Sequence, residues 1–332
     1  MSFRQHKPRG DIVRYKYCVV IVFVLLPVLM VVGCGSIPVS PPSGDSVFEK
    51  DKRLQSPEQL PEVSLSIVKT AESKTLESFF YSGGSWTTLR VGAHSAILVR
   101  HPKGSLLFDT GLGNNIDEQF KKNMPFWLKP FMAYKTIGSA QRLLAEEVKK
   151  NPIRMIILSH LHWDHASGIK DFPDAEIWTT RKEYDWAMGP DAPEGRYIQS
   201  QFSGKEIKWR FIQFERVPYE NFDQSLDVFR DGSVVLVPLP GHTPGAIGMF
   251  VNLRSGKRVF ATGDTTWTLE GFKIPAHKFW ISSLLVDYDK NETEQSILKV
   301  HRLMEEYPKL VIVPAHDDKV QQAVGFYPNF IR

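Results

Sequence analysis

Arg154-Met155-Ile156-Ile157-Leu158-Ser159-His160-Leu161-His162-Trp163-Asp164-His165-Ala166-Ser167-Gly168 is the stretch whose reading decides the fold. It begins as a short apolar run, Met155 to Leu158, which reads as a buried strand. Where that strand must end, three histidines and an aspartate fall within six residues. Imidazole nitrogen and carboxylate oxygen are the donors that a borderline cation such as zinc prefers. The alternation of His160 and His162 turns two imidazoles to one side of the backbone. Asp164 and His165 follow where the chain would enter a helix, and they project elsewhere. Two diverging pairs of donors suit two adjacent cations better than one. A surface loop that is merely rich in histidine has no reason to gather four donors at the end of a buried strand.

The chain has 332 residues, 42% of them hydrophobic, enough for one large domain or two small ones with a sizeable core. Its net charge of +4 is concentrated at one end: residues 1–34 hold Arg4, Lys7, Arg9, Arg14 and Lys16 against the single acid Asp11. The remainder balances, so nothing in its charge favours a nucleic-acid partner. The 2 cysteines, Cys18 and Cys34, both lie in that first segment. The rest of the chain can therefore hold neither a disulfide framework nor a thiolate metal ligand.

From Cys18 to Val32 runs an apolar stretch of fifteen residues, interrupted by Pro27. A spanning helix needs about 20. A basic segment before a short apolar one matches a secretory leader instead. Its end, Val31-Val32-Gly33-Cys34, resembles a bacterial lipoprotein cleavage box with Cys34 as the acylated residue. The expectation is a leader over 1–33, a proline-rich tether over 34–62 and one hydrolase domain over 63–332. An uncleaved anchor is the alternative; either way the body is tethered to a membrane outside the cytoplasm.

Within the body, Val63–Val68 reads as an edge strand opening the fold, and 87–111 as a strand–hairpin–strand passage turning at Pro102-Lys103-Gly104. His94 and His101 lie there and read as structural or surface histidines. Residues 123–138 are apolar without a clean period, either core or a lid. Ser139 reads as the N-cap of a helix over Ala140–Lys150. Strands are expected at 176–179, 206–215, 226–229, 234–238, 247–252, 258–261 and 309–313, with helices at 181–188 and 292–307. Residues 265–289 form an aromatic insertion, in which His277 reads as a surface or substrate-side residue. His301, on the last helix, reads as exposed. No internal repeat and no nucleotide-binding glycine loop occurs.

Four further motifs accompany the signature: Leu106-Leu107-Phe108-Asp109-Thr110-Gly111, Gly241-His242-Thr243-Pro244-Gly245, Gly263-Asp264 after an apolar run, and Val311-Ile312-Val313-Pro314-Ala315-His316-Asp317. Together, and in this order, they resemble the metallo-β-lactamase superfamily of hydrolases. The resemblance implies a four-layer αββα sandwich, two mixed sheets face to face with helices outside, which agrees with the strands and helices read above. It assigns His160, His162 and His242 to one zinc ion and Asp164, His165 and His316 to a second, with Asp264 bridging and Asp109 supporting the ligands from behind. It also implies hydrolysis by a water activated between the ions, with Asp164 carrying the proton.

An aspartate bridge together with His316 argues against the lactam-cleaving branches. The helix at 181–188, the turn Asp287-Tyr288-Asp289 and the ending Pro-Ala-His-Asp look like the quorum-quenching N-acyl homoserine lactonase branch. One departure stands out: Trp267 occupies the place where such lactonases often carry a tyrosine. Lactone ring opening is the first reading; another carboxylic ester, a thioester or a β-lactam is the alternative. A non-catalytic, surface-binding lipoprotein is the reading from outside enzymology, but a retired site usually loses a donor and here all are present. The substrate is expected to be a small molecule with an apolar portion, lined by Phe126, Trp127, Phe131, Trp267 and Phe272.

Overall fold

A computed structural model describes residues 56–332. The leader, Cys34 and most of the tether lie outside the described residues. Twelve strands carry the fold: β1 (Ser64–Leu76), β2 (Leu89–Arg100), β3 (Leu106–Phe108), β4 (Lys135–Thr136), β5 (Met155–Ile157), β6 (Glu176–Thr180), β7 (Lys208–Ile212), β8 (Leu226–Asp227), β9 (Val234–Pro238), β10 (Ile247–Asn252), β11 (Arg258–Ala261) and β12 (Val311–Val313). They form a seven-stranded sheet, β4-β1-β2-β3-β5-β6-β7, and a five-stranded sheet, β12-β11-β10-β9-β8. Both are mixed: β3, β5, β6 and β7 run parallel, as do β11 and β12, and the remaining pairs are antiparallel.

Side-chain alternation sorts each strand between layers. Leu106 and Phe108 face the second sheet, while Leu107 between them faces helices. Ile157 points inward; Ile156 and Leu158 point outward, onto Ala140, Leu144, Ala187 and Phe202. In the second sheet Val234, Leu236, Met249, Val251 and Val259 meet the first sheet. Val235, Val237, Phe250 and Phe260 instead pack on Ile297, Val300 and Leu303 of the helix Lys290–Glu306. Strands apolar on both faces thus build three cores and four layers, the αββα sandwich.

Several boundaries differ from the sequence reading. β1 is a thirteen-residue strand inside the sheet rather than a short edge strand, because the two-residue β4 covers its outer side. The passage at 87–111 is one long strand and a short one. The helix after Ser139 breaks at Leu144 into Ala140–Leu143 and Ala145–Lys150, although Ser139 caps it as expected, accepting from the Arg142 N–H. The insertion at 265–289 holds two short helices, Leu269–Lys273 and Trp280–Val286. A final helix, Asp318–Val324, is capped by Asp317 and was not expected. Among the described residues no helix is long and apolar enough to cross a membrane.

Candidate metal centre

Each expected donor follows the C-terminal end of a strand: Asp109 after β3, the signature after β5, His242 after β9, Asp264 after β11 and His316 after β12. β3 and β5 are parallel, and β9, β11 and β12 share one direction because two antiparallel steps separate β9 from β11. Their ends therefore open on one edge of the sandwich, where open sheets usually bind ligands. Backbone bonds lock the two sheets together there. Ile247 N–H donates to Ser159 O at 2.9 Å, and Ala93 N–H to His316 O at 3.2 Å.

The seven donors are buried and gather into groups that could each hold an ion: His160, His162 and His242; His160, His165 and Asp264; and Asp164 and His316 together with His94. His162 Nδ1 lies 2.9 Å from His242 Nε2, with the His160 ring beside both. On the other side His316 Nε2 lies 3.1 Å from Asp264 Oδ2 and 3.5 Å from Asp164 Oδ2, and His165 Nε2 lies 3.3 Å from Asp264 Oδ1. His242 Nε2 approaches Asp264 Oδ2 at 3.5 Å, so this one carboxylate spans both groups. Zinc bonds of about 2.0–2.1 Å in a tetrahedron require donors about 3.3–3.4 Å apart, close to these separations.

The tautomers fit the same purpose. Asp109 is at φ 60°, in the left-handed region that aspartate tolerates better than most residues. There its carboxylate accepts from Ser159 N–H at 2.7 Å, Ser159 Oγ–H at 2.8 Å and His165 Nδ1–H at 2.8 Å. Because the Ser159 hydroxyl donates to Asp109, its oxygen accepts from His160 Nδ1–H at 2.9 Å. His316 Nδ1–H donates to Ala93 O at 2.7 Å, and His242 Nδ1–H to Asp287 Oδ1 at 2.8 Å. Four imidazoles are thus anchored through Nδ1, which leaves Nε2 as the nitrogen that can give up its proton and bind a metal. Nε2 of His160, Nε2 of His165 and Oδ1 of Asp264 are buried with no hydrogen-bond partner. Such orphaned atoms are costly without a cation to meet them, so the residues present fit a metal pair.

Charge divides the cluster. Burial, reinforced by neighbouring imidazoles, holds His160 and His162 well below the usual histidine range, and burial with the Lys278 charge lowers His242. For His165 burial acts downward too, but Asp264, Asp109 and Asp164 outweigh it and raise the group well above that range. His316 is raised by Asp264 and Asp164 against the same burial. In reverse, burial works to raise Asp264, yet His316 and His165 hold it well below the ordinary carboxylate range. The Asp164 side thus attracts positive charge, and a divalent cation entering there displaces protons.

Three residues of the centre escaped the sequence reading. His94, taken there for structural or surface, is buried with Nδ1 3.0 Å from Asp164 Oδ2. Glu183 is fully buried and accepts from Leu161 N–H at 2.9 Å and Gly245 N–H at 3.1 Å, joining the signature to the His242 loop. The pattern Thr180-x-x-Glu183 reads as a helix start, and the Thr180 side chain indeed caps Glu183 N–H. Lys278 is 1% exposed and donates to Asp287 Oδ1 at 2.7 Å and Thr265 O at 3.2 Å. Burial works to raise Asp287, but the Lys278 charge and the His242 bond bring it down to about 2. Gly241 completes the His242 loop at φ 125°, where an added Cβ meets Thr293 N at 2.2 Å.

The expected substrate wall divides. Trp267 stands in the centre, its Nε1–H donating to Asp264 Oδ2 at 3.0 Å and its ring edge-on to His316. Phe126, Trp127 and Phe131 are exposed, Phe126 by 84%, while Met124 and Leu128 of the same segment pack with Trp163 beside the signature. Phe272 is corrected: it is 0% exposed and belongs to the outer core with Val300, Leu303 and Ile312. The short helix Leu269–Lys273 turns that ring onto the helix Lys290–Glu306 and away from the metal ligands. Of the other histidines, His101 pairs with Asp231 and stacks on Phe229. His277 lies near Glu294, and His301 is half-buried rather than exposed, with Nδ1–H donating to Phe272 O.

Residues 89–316 match the family model of the metallo-beta-lactamase superfamily. The chain is 27% identical over 240 residues to the N-acyl homoserine lactonase AttM of Azorhizobium caulinodans, covering 69% of this chain and 85% of that one. It is 31% identical over 242 residues to the probable metallo-hydrolase Rv2300c of Mycobacterium tuberculosis, covering 68% and 75%. A crystal structure of a mutant Bacillus thuringiensis AiiA, with N-decanoyl-L-homoserine bound at its active site, superposes with a TM-score of 0.62 at 20% identity, covering 82% of this chain and 100% of that one.

The anchoring bonds predict separable effects on metal binding. Asp287→Ala frees His242 Nδ1 and should weaken one ion about 10–100-fold, whereas Asp109→Ala frees both His165 Nδ1 and the Ser159 hydroxyl that holds His160, so it should weaken both. Stepwise titration of the metal-free protein with zinc checks this. Equal weakening of both steps by Asp287→Ala contradicts the division into two groups.

Proposed function

The chain belongs to the metallo-β-lactamase superfamily, and from that premise we propose that this metallo-hydrolase is a two-zinc enzyme that opens the ring of N-acyl homoserine lactones. The observation that carries the two-cation part is Asp264, whose Oδ1 faces His165 and whose Oδ2 faces both His242 and His316. The likeness to the AttM lactonases supports the substrate. Zinc held by His160, His162, His242 and by Asp164, His165, His316 supplies a Lewis acid for the ester carbonyl and a hydroxide at neutral pH.

The chain's own residues do the rest. Asp164 Oδ2 takes the proton released as the nucleophile adds and returns it to the alkoxide that leaves when the ring C–O bond breaks. The product is an open-chain hydroxy acid. Trp267, with Lys278 Nζ 5.7 Å from its ring centroid and Phe80 edge-on, closes one side of the centre and excludes water there. Phe126, Trp127 and Phe131 receive the acyl chain, contributing about 25 cal/mol for each Å² of apolar area removed from water.

A panel of acyl homoserine lactones, simple esters, thioesters and β-lactams against the zinc-loaded protein tests the reading. Lactones should be the best substrates, and Trp127→Ala should raise KM for long acyl chains much more than for short ones. The indole in place of a phenol favours the second reading, another ester or thioester, and turnover of those without lactones decides for it. No turnover of any carbonyl substrate leaves the surface-binding lipoprotein.

We also propose that the body is held at a membrane outside the cytoplasm by a lipid on Cys34, as the sequence Val31-Val32-Gly33-Cys34 suggests. Mass spectrometry of the membrane fraction should find a lipid-modified Cys34 as the first residue. An intact Met1 terminus contradicts a cleaved leader.

A further inference from the structure

We propose that His94 is an eighth member of the metal centre, a positioning residue that holds the Asp164 carboxylate in place for the second ion. None of the five motifs contains it, and none of the seven assigned donors stands on the same strand.

The contacts begin on β2. Ala93 and His94 are neighbours near its middle, where β2 pairs with β1 through Ala71↔His94 and Glu72↔Ala93. The backbone there is clamped: Thr70 Oγ–H donates to His94 O at 2.7 Å, and the same hydroxyl oxygen accepts from Leu112 N–H at 2.8 Å. The two residues then address two ligands of one ion. Ala93 O accepts from His316 Nδ1–H at 2.7 Å, and Ala93 N–H donates to His316 O at 3.2 Å. His94 Nδ1 lies 3.0 Å from Asp164 Oδ2. A carboxylate that binds a cation is ionised and only accepts, so Nδ1 carries the hydrogen and donates. One rigid segment of the first sheet therefore sets His316 through its backbone and Asp164 through a side chain.

The rest of the His94 ring separates this role from a purely structural one. A core histidine usually has both ring nitrogens paired. His94 is 7% exposed, and its Nε2 is buried with no partner. Leaving such an atom unpaired costs about 1–3 kcal/mol, and a leucine or phenylalanine there avoids that cost. What an apolar ring cannot supply is the Nδ1–H on Asp164. The His94 ring lies 5.0 Å from that of His316, so it occupies the same volume as the ligands. Other contacts to the same Asp164 Oδ2 are longer: His165 Nε2 is 3.8 Å away and His316 Nε2 3.5 Å. His94 makes the shortest polar contact to this carboxylate among those described.

The inference rests on the two-cation reading and not on the substrate, so the test reads metal. Chelator-stripped protein is titrated with cobalt(II), following heat and visible absorption, for wild type, His94→Phe and His94→Asn. Phenylalanine keeps a ring and removes the donor, whereas the asparagine side-chain amide offers an N–H near the position of Nδ1. Wild type should take up two ions in two steps. His94→Phe should weaken one step about 10–100-fold and leave the other unchanged, the size expected when a ligand loses its outer partner. His94→Asn should return the weakened step to within a few-fold of wild type. Wild-type affinities for both ions in His94→Phe overturn the proposal. So does equal weakening of both steps in both variants, which marks a packing defect. A wild-type protein that takes up fewer than two ions overturns the two-cation reading, and this proposal with it.

Discussion

Three buried carboxylates, Asp109, Asp164 and Asp264, lie within reach of one set of imidazoles, and the rest of the structure follows from that constraint. Buried charge without compensation is among the costliest things a fold can hold. Here each carboxylate is answered in a different way. Asp109 is satisfied by three protein donors, so it is a fixed support. Asp164 is met at one oxygen by His94 and, at longer range, by His316 and His165. Asp264 keeps an oxygen that no protein group satisfies. The order runs from structural to chemical, and only Asp264 touches both donor groups.

Holding these groups together requires two sheets to present their strand ends at a single edge. The stitches are backbone bonds between the sheets and the fully buried Glu183, which grips the amides of Leu161 and Gly245 at once. A buried carboxylate that accepts several N–H bonds fixes loop geometry more firmly than packing alone. On the far side, the Lys278–Asp287 pair stands behind His242 as Asp109 stands behind His165. The two donor groups nevertheless differ in charge. The first is three neutral imidazoles beside a buried ammonium, and the second combines carboxylates with histidines whose affinity for protons they raise. Metal uptake on the second side is therefore the more strongly coupled to pH, because protons must leave as the ion arrives.

The ligand framework was legible in the sequence because its information is local. Each donor sits one to seven residues beyond an apolar run, and a strand end can be read from a dozen residues. The runs Leu106-Leu107-Phe108 and Met249-Phe250-Val251 are apolar at every position, as strands buried on both faces require. What could not be read was pairing across the chain. His94 and Asp164 are 70 positions apart, and nothing near His94 distinguishes it from a surface histidine. Lys278 lies in an aromatic insertion, and nothing beside it in the sequence marks its partner Asp287. Phe272 was misjudged for a related reason: a five-residue helix is too short to show a period, so its buried face could not be chosen in advance.

The central claim is that Asp264 spans two cation positions built from separate strand ends. Anomalous diffraction at the zinc absorption edge, on crystals of the zinc-loaded protein, tests it most directly. The account predicts two peaks at comparable occupancy, both within bonding distance of Asp264, one also bonded to His160, His162 and His242 and the other to Asp164, His165 and His316. A single peak, or two peaks that leave Asp264 uncoordinated, contradicts it.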